Sequence, residues 1–282
     1  MSPFGKRLFR FAGGSVAVEA REAAAEAIAA YLCARLPGGA EQAGEPAVLL
    51  SLSHDAKSGR FQLLRGGQLV AGGGNAGWLA EQLLRNICTG LADQAAGAMV
   101  FHAAALCRQG VSVLVPGGSG AGKSTLAFWL ARQGWEYLTD ELAAVTPGSH
   151  ALAGLCRPLG LKQSSLPPLA SWFDFEAAAA GVMRTPHGVM VSPDLLPEAE
   201  GPTGPPVRIL FPGYRRKGAF ALQPITPARA AMSLMGCLIN ARNLPGDGLP
   251  AVVRLAAAVP AYRLRYGGFD QLGAAGLKLM QS

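Results

Sequence analysis

The octapeptide Gly117-Gly118-Ser119-Gly120-Ala121-Gly122-Lys123-Ser124 is the most informative stretch of this sequence. It matches the pattern G-x-x-x-x-G-K-[ST], which is typical of phosphate-binding loops. In such loops the glycines let backbone N–H groups turn toward phosphates, and the next helix points its positive end at them. The lysine reaches the β- and γ-phosphates, and the serine hydroxyl can bind Mg²⁺. The residues predicted to bind a nucleotide are Gly117, Gly118, Ser119, Gly120, Ala121, Gly122, Lys123, Ser124 and Thr125.

The residues around this loop have the pattern that the motif requires. The apolar run Val113-Leu114-Val115 precedes it, and a helical stretch over 124–132 follows it. Residues 98–106 and 111–116 are predicted to be strands, and Tyr137-Leu138 a further short strand. This order of elements predicts an α/β fold with a sheet and flanking helices. The alternative is a flexible glycine loop with an incidental lysine.

Two carboxylates and a histidine are the other candidate functional residues. Asp140 and Glu141 follow the short apolar segment Trp135–Thr139. A phosphate-binding loop needs a carboxylate at a neighbouring strand end to hold Mg²⁺, and a kinase also needs a base for its acceptor hydroxyl. The alternative for this pair is a helix start with Asp140 as its N-cap. On composition alone, His102 in its apolar strand is a buried core residue.

The remainder of the chain divides into two predicted regions, 1–95 and 96–282. The first is a small α+β region without a chemical motif. Its predicted elements are a helix over 16–36, a strand over 47–53, a hairpin of 60–65 with 68–71 around Gly66-Gly67, and a helix over 76–91. In the second region, residues 154–206 are rich in proline and predicted to be mostly loop. The elements predicted after them are strands over 207–211 and 261–266 and helices over 227–240 and 271–279.

Composition excludes several classes of protein. The chain has 282 residues, of which 50% are hydrophobic and 15% charged, so it can bury a core without disulfides. Its five cysteines are widely spaced and include no CxxC, which argues against a disulfide scaffold or a zinc site. No apolar run is long enough to span a membrane, and no secretory signal is apparent. We therefore expect a cytoplasmic protein with reduced thiols and without a membrane span.

Positive charge is concentrated in the last third of the chain. The net charge is +7, and residues 201–282 contain ten basic and two acidic side chains. Such an excess attracts phosphate, nucleic acid or an acidic polypeptide, although a solvated basic face is an equally good interpretation. Arg215, Arg216 and Lys217 are predicted to lie at a rim that meets an acceptor or a second subunit rather than ATP. Arg263 and Arg265 are predicted to share one face of a strand.

Residues 101–145, FHAAALCRQGVSVLVPGGSGAGKSTLAFWLARQGWEYLTDELAAV, resemble the catalytic domain of the HPr kinase/phosphorylase family. That family has a strand with a histidine, a second strand, a loop of the type G-x-S-G-x-G-K-S, a helix ending in an R-x-G-like turn, and a strand ending in two carboxylates. Here Arg132-Gln133-Gly134 is at the turn position. The sequence departs from the family at Glu141, which replaces an aspartate, and it lacks the long C-terminal signature.

The divergent branch called HprK-related kinase A is a closer match. Its motifs correspond here to GKSTL (122–126), TDE (139–141), RPLGLK (157–162), ILFPGY (209–214) and PAYRLRY (260–266). The resemblance thus extends over about 100–270, and it implies an HPr-kinase-like P-loop core preceded by the small α+β region.

The resemblance also implies roles for individual residues. Lys123 would stabilise the phosphoryl group in transfer, and Ser124 and Glu141 would hold Mg²⁺. Asp140 would be the general base toward the acceptor hydroxyl, and His102 would lie near the phosphates and orient them or Asp140. Arg157 and Lys162 are candidates for charge stabilisation, and their alternative is surface charge on a loop.

The function expected from these observations is ATP-dependent transfer of a γ-phosphoryl group to a Ser or Thr hydroxyl. The expected ligands are ATP, Mg²⁺ and a protein or peptide acceptor. The basic last third is compatible with an acidic acceptor. One alternative is a small-molecule kinase. Another is a non-catalytic nucleotide-binding subunit of a peptide-modification or surface-sorting gene cluster. Nucleic acid is not an expected partner, and a homo-oligomer is left open.

Overall fold

The computed structural model describes residues 5–37, 46–198 and 203–273. The strands are Lys6–Phe11 (β1), Gly14–Ala20 (β2), Val48–Asp55 (β3), Arg60–Arg65 (β4), Gln68–Gly73 (β5), Met99–Arg108 (β6), Val111–Pro116 (β7), Glu136–Thr139 (β8), Leu142–Val145 (β9), Leu152–Gly154 (β10), Leu159–Lys162 (β11), Val182–Thr185 (β12), Gly188–Val191 (β13), Pro206–Tyr214 (β14), Ala221–Ile225 (β15) and Ala261–Tyr266 (β16). The α-helices are Ala23–Cys33 (α1), Ala76–Gln94 (α2), Lys123–Arg132 (α3), Leu166–Leu169 (α4), Pro227–Met235 (α5) and Leu249–Ala258 (α6).

The N-terminal part forms a five-stranded sheet in the order β1-β2-β3-β4-β5. Strands β2 and β3 are parallel and α1 connects them, whereas the other neighbours are antiparallel. Helices α1 and α2 bury their apolar sides against this sheet. The same hydrophobic cluster also includes Val100, Leu142 and Met190 from the later part of the chain. The predicted division at residues 95/96 therefore stays a prediction.

The predicted helix over 16–36 is wrong in its first part, because Gly14–Ala20 forms strand β2. Val16 and Val18 alternate with smaller residues at a period of two, and the helical spacing begins only at Ala23. Strand β2 pairs with β1 on one side and β3 on the other. The hydrophobic pattern of residues 16–36 does not show which other segments will pair with them. The helical part, the hairpin and the helix that follows it are confirmed.

The second sheet has eight strands and carries the predicted phosphate-binding loop. Its order is β10-β9-β6-β7-β14-β16-β15, and β8 also pairs with β6. Strands β7, β14 and β16 are parallel, so their carboxyl ends lie at one edge. Side chains alternate between the two faces: Leu106 and Val113 pack toward α3, whereas Cys107 and Leu114 pack toward α5 and α6. Both faces of the sheet are thus covered, as the predicted α/β fold requires.

Several predicted elements of this part are confirmed. Strands β6, β7, β8 and β16 and helix α3 lie where the sequence predicted them. The predicted strand over 207–211 lies within β14. The region over 154–206 contains more structure than predicted, because β11, β13 and β12 form a small antiparallel sheet. The predicted closing helix over 271–279 lies mostly outside the described residues.

The predicted helix over 227–240 ends earlier, at Met235, because the chain that follows bonds to β6. Cys237 O accepts a hydrogen bond from His102 N–H, and Ile239 N–H donates to Val100 O, both at 2.8 Å. The buried amide of Asn240 then donates to Ala95 O and Ala98 O and accepts from Val100 N–H. These contacts continue the sheet beside β6 where β7 has ended. In the described ranges, no helix is long and apolar enough to cross a membrane.

Candidate functional site

The loop between β7 and α3 has the backbone that its glycines allow. Gly120 and Gly122 have φ values of +86° and +96°, in the left-handed region that favours glycine. A Cβ at Gly122 would also lie 3.2 Å from Tyr266 Oη and 3.3 Å from Tyr214 Cβ. Both the backbone and the available space therefore require glycine at this position. Gly122 O accepts from Leu126 N–H at 2.9 Å, which begins α3.

The first turn of α3, directly after the loop, has backbone N–H groups that are free to donate hydrogen bonds. The N–H groups at the start of a helix have no intrahelical acceptor, and the helix dipole makes this end positive. Ser124 and Thr125 lie in this turn beside a cavity. The hydroxyl of Thr125 lies 2.9 Å from that of Ser165, and the ammonium of Lys162 donates to Ser119 Oγ at 3.4 Å. The turn is thus suited to an anionic ligand.

The side chain of Lys123 is buried and points back along the loop. Its Nζ donates to Gly118 O at 3.3 Å and lies 3.2 Å from Nε2 of His102. Burial lowers the pKa of Lys123 below its ordinary value, and the charges of Glu141 and Asp140 oppose that shift. The residue is 6% exposed, so its charge acts at short range in a poorly solvated place.

Sheet pairing explains why His102 and Glu141 meet. Strands β8 and β9 pair with successive halves of β6, and the two residues between them are Asp140 and Glu141. His102 is opposite Leu142 in this register, and its Nε2 lies 3.5 Å from Glu141 Oε1. Burial raises the pKa of Glu141, but the hydrogen bond with His102 and the charges of Arg157 and Lys123 outweigh it and lower the pKa to about 2.

Asp140 is held by three groups from different segments. The Tyr137 hydroxyl donates to Oδ1 at 3.0 Å, Gly160 N–H donates to Oδ2 at 3.3 Å, and Nη2 of Arg157 lies 2.9 Å from Oδ1. The carboxylate is 1% exposed. The same guanidinium lies 3.4 Å from Glu141 Oε2. Burial lowers the pKa of Arg157, but the charge of Asp140 dominates among the opposing causes, and the pKa is raised.

A cavity of about 360 Å³ joins these groups. Among the predicted residues that line it are His102, Ser119, Gly120, Gly122, Lys123, Ser124, Thr125, Asp140, Glu141, Arg157 and Lys162. Gly117, Gly118 and Ala121 belong to the loop but do not line the cavity. The structure thus brings the charged candidates together, while the roles assigned to them stay predictions. The alternative interpretation of Asp140, as the N-cap of a helix, is wrong, because strand β9 follows it.

A second cavity of about 830 Å³ opens beside the first. Ser119, Glu141, Arg157, Gly160, Lys162 and Ser164 line both. One wall of the second cavity is α2, through residues such as Arg85 and Thr89, and another is formed by β11 and β13. The first 95 residues, in which the sequence contained no chemical motif, therefore contribute to a cavity beside the carboxylates.

The structure adds residues that the sequence reasoning missed. Tyr214, Tyr266 and Phe269 line the first cavity, and Tyr137 supports Asp140. Tyr214 and Tyr266 end two of the motifs quoted above, which was the available signal, and Tyr266 also ends the predicted strand over 261–266.

None of the described basic side chains of the last third lines either cavity. Arg215, Arg216 and Lys217 are exposed in the turn directly after Tyr214, and their predicted contact with an acceptor stays a prediction. Arg263 and Arg265 share the exposed face of β16, which confirms their predicted alternation.

The donor set of the site suits a hard divalent cation. Hydroxyl and carboxylate oxygens are the ligands that Mg²⁺ prefers, and it usually takes only one or two from the protein beside phosphate and water. Ser124 and Glu141 supply such atoms at the cavity wall. In the part of the chain that the structure describes, no three His, Cys, Asp or Glu side chains form a metal cluster by themselves.

Comparisons with known proteins give little identification. The sequence matches no protein family, and no curated protein matches it significantly. Among solved structures, the chain is similar to the Hpr(Ser) kinase/phosphatase from Coxiella burnetii, at 12% identity and a TM-score of 0.30. The matched part covers 64% of this chain and 86% of the other.

Proposed function

We propose that this protein is an ATP-dependent phosphotransferase that transfers the γ-phosphoryl group to a Ser or Thr hydroxyl of a protein or peptide. One observation carries the proposal: the loop lysine, two carboxylates, a histidine and a buried arginine converge on one cavity at the N-terminus of α3. Backbone donors with a mobile cation suit phosphates, and buried carboxylates beside them suit a proton acceptor.

The loop and Lys123 bind the phosphates in this proposal. Backbone N–H groups of the first turn of α3 donate to phosphate oxygens, and Lys123 leaves its contacts with Gly118 O and His102 to reach the β- and γ-phosphates. Ser124 and Glu141 would hold Mg²⁺, which would supply charge neutralisation to the phosphates. His102 fixes the position of Glu141 through their contact at 3.5 Å.

Asp140 takes the proton of the acceptor hydroxyl. The hydroxyl oxygen forms a bond to the γ-phosphorus as the bond from that phosphorus to the β,γ-bridging oxygen of ATP breaks, leaving ADP. The Arg157 guanidinium keeps Asp140 in place and supplies positive charge beside the transferred group. Tyr137 and Gly160 fix the remaining orientation of the carboxylate.

The second cavity supports a separate acceptor site. It reaches Glu141 and Arg157 from the side of α2, and Asp140 lies beyond them at the wall of the first cavity, so an acceptor hydroxyl would meet Asp140 where the two cavities join. The exposed side chains of Arg85 and Lys162 in its walls favour an acidic acceptor. Its size of about 830 Å³ is sufficient for several residues of an extended peptide.

The experiment is phosphoryl transfer from γ-labelled ATP by the purified full chain. The acceptors are a peptide library with a central Ser or Thr and a cell extract separated into macromolecules and small molecules. We expect Mg²⁺-dependent label in polypeptide, and none with Lys123→Ala. Label confined to the small-molecule fraction would instead identify a small-molecule kinase. Tight binding of MgATP without label in any fraction would contradict catalysis and favour an accessory nucleotide-binding subunit.

A further inference from the structure

Two tyrosines lie side by side at the edge of the sheet where the phosphate-binding loop begins. Tyr214 and Tyr266 are the last residues of the parallel strands β14 and β16, and they are paired in register. Their ring centroids are 5.5 Å apart at an interplanar angle of 61°. Ligands of open α/β sheets bind outside the carboxyl ends of the strands, which is where this pair lies.

The hydroxyl of Tyr266 is an unused donor in a buried place. Tyr266 is 1% exposed, and its Oη has no hydrogen-bond partner among the described residues. Leaving a buried polar group unpaired is costly, so the hydroxyl gains from a partner that the described residues do not supply. Burial raises the pKa of Tyr266 above its ordinary value, so the hydroxyl is a donor.

The position of this hydroxyl is fixed by its neighbours. The ring of Tyr266 contacts that of Phe269 at 5.8 Å, and Phe269 stacks on Trp129 of α3 at 5.3 Å. On the other side, the absence of a side chain at Gly122 lets the hydroxyl approach the loop. Oη therefore lies against Gly122, the last residue of the loop, and Tyr266 is one of the residues that line the first cavity.

Strand order places the tyrosines away from the carboxylates. His102 is on β6, and Asp140 and Glu141 are beside it, whereas the tyrosines are on β14 and β16, beyond β7. Neighbouring strands lie about 4.8 Å apart, so β16 is about 14 Å from β6. A triphosphate on the loop with its γ-phosphate near Asp140 would extend its nucleoside toward β14 and β16.

We propose that Tyr214 and Tyr266 form the nucleoside side of the site: Tyr266 Oη donates a hydrogen bond to the ribose of the nucleotide, and the half-exposed ring of Tyr214 packs against the nucleoside. This inference rests on the proposed function, because it requires a nucleotide on the loop. In this inference Tyr214 and Tyr266, which have no role in the proposed transfer of the γ-phosphoryl group, bind the nucleoside.

The experiment measures dissociation constants of MgATP, MgADP and magnesium tripolyphosphate by calorimetry. Tripolyphosphate has the phosphates of ATP but no nucleoside. We expect Tyr266→Phe to raise the Kd of MgATP and MgADP about three- to tenfold, as loss of one hydrogen bond predicts, and to leave tripolyphosphate unchanged. Tyr214→Ala should show the same selectivity. The matched control is Tyr262→Phe on the same strand, whose ring contacts Arg208 and which does not line the cavity.

The outcomes separate this inference from the proposed function. If the wild-type protein does not bind MgATP, the proposed function fails and this inference fails with it. If the wild-type protein binds MgATP and Tyr266→Phe leaves every Kd unchanged, or weakens tripolyphosphate as much as ATP, only the inference is wrong. A thermal melt without nucleotide shows that each variant is folded, and Tyr266→Phe should melt no lower than wild type, because it removes an unpaired buried hydroxyl.

Discussion

Nη2 of Arg157 lies 2.9 Å from Oδ1 of Asp140, and this pair connects the segment between β10 and β11 to the end of β8. Both partners are shielded from water, with side-chain exposures of 12% and 1%. An ion pair in such a place requires both partners, since either charge alone would be left buried without compensation. Arg157 therefore has a structural function in addition to the charge stabilisation proposed for it.

Replacing Arg157 with Met should destabilise the fold. The Asp140 carboxylate would keep its burial and lose its countercharge, so the free energy of unfolding should fall by about 3–5 kcal/mol. Urea denaturation measures this change. Arg157→Lys keeps the charge and should recover part of the loss. Arg184→Met removes an exposed pair with Glu176 and should have little effect. Equal stabilities of Arg157→Met and Arg184→Met would show that the buried pair is unimportant.

Replacing Lys123 with Ala should reduce phosphoryl transfer strongly, because the cation proposed to reach the γ-phosphate is lost. Removal of one group that stabilises a transition-state charge typically costs about 10²–10³ in rate. The measurement is kcat with γ-labelled ATP and the acceptor identified from the library. Lys57→Ala, in the exposed turn between β3 and β4, is the matched control. Wild-type turnover by Lys123→Ala would contradict the assignment of the loop.

Local sequence patterns were sufficient for the central elements of the fold. The glycines, Lys123 and Ser124 define the loop. The segments on either side of it are mostly apolar, so strand β7 and helix α3 were predictable. The carboxylates were predictable because they directly follow a short apolar strand. Arg157 was one of two candidates for charge stabilisation, but its ion pair with Asp140 was not predicted, because the chain passes through β9 and β10 before Arg157 returns to that carboxylate.

Long-range pairing explains the errors. Whether Gly14–Ala20 is a strand depends on hydrogen bonds to β1 and to β3, which lies beyond α1. The early end of α5 depends on bonds from Cys237 and Ile239 to β6, more than 130 residues earlier. β1 is adjacent to β2 in the sequence, but a local pattern around β2 does not contain β3, and one around α5 does not contain β6. The walls of the two cavities also come from segments far apart in the sequence, so their shapes were not predictable.

Replacing Asn240 with Ala should destabilise the junction between α2 and β6. The Asn240 amide, 1% exposed, makes three hydrogen bonds of 2.8–2.9 Å to the backbone of Ala95, Ala98 and Val100. Its loss leaves buried backbone groups unpaired, and the free energy of unfolding should fall by about 2–4 kcal/mol in urea denaturation. Asn86→Ala on α2, which removes one partly buried bond to Gln82, should cost less. A similar loss for both variants would contradict this account.

The amide variants of Asp140 and Glu141 should differ: one should lower kcat, and the other should raise the Mg²⁺ concentration that the reaction requires. Asp140→Asn removes the proposed proton acceptor, so kcat should fall about 10²–10⁴-fold while the Kd of MgATP stays within a few-fold of wild type. Glu141→Gln weakens an oxygen ligand at the more exposed position, so the Mg²⁺ concentration for half-maximal rate should rise while kcat at saturating Mg²⁺ recovers. Initial rates over a Mg²⁺ series, with calorimetry of MgATP, measure both. Asp93→Asn, in an exposed pair with Arg242, is the control for a lost carboxylate. Identical rate and Mg²⁺ profiles for the two site variants would show that the carboxylates do not divide these roles.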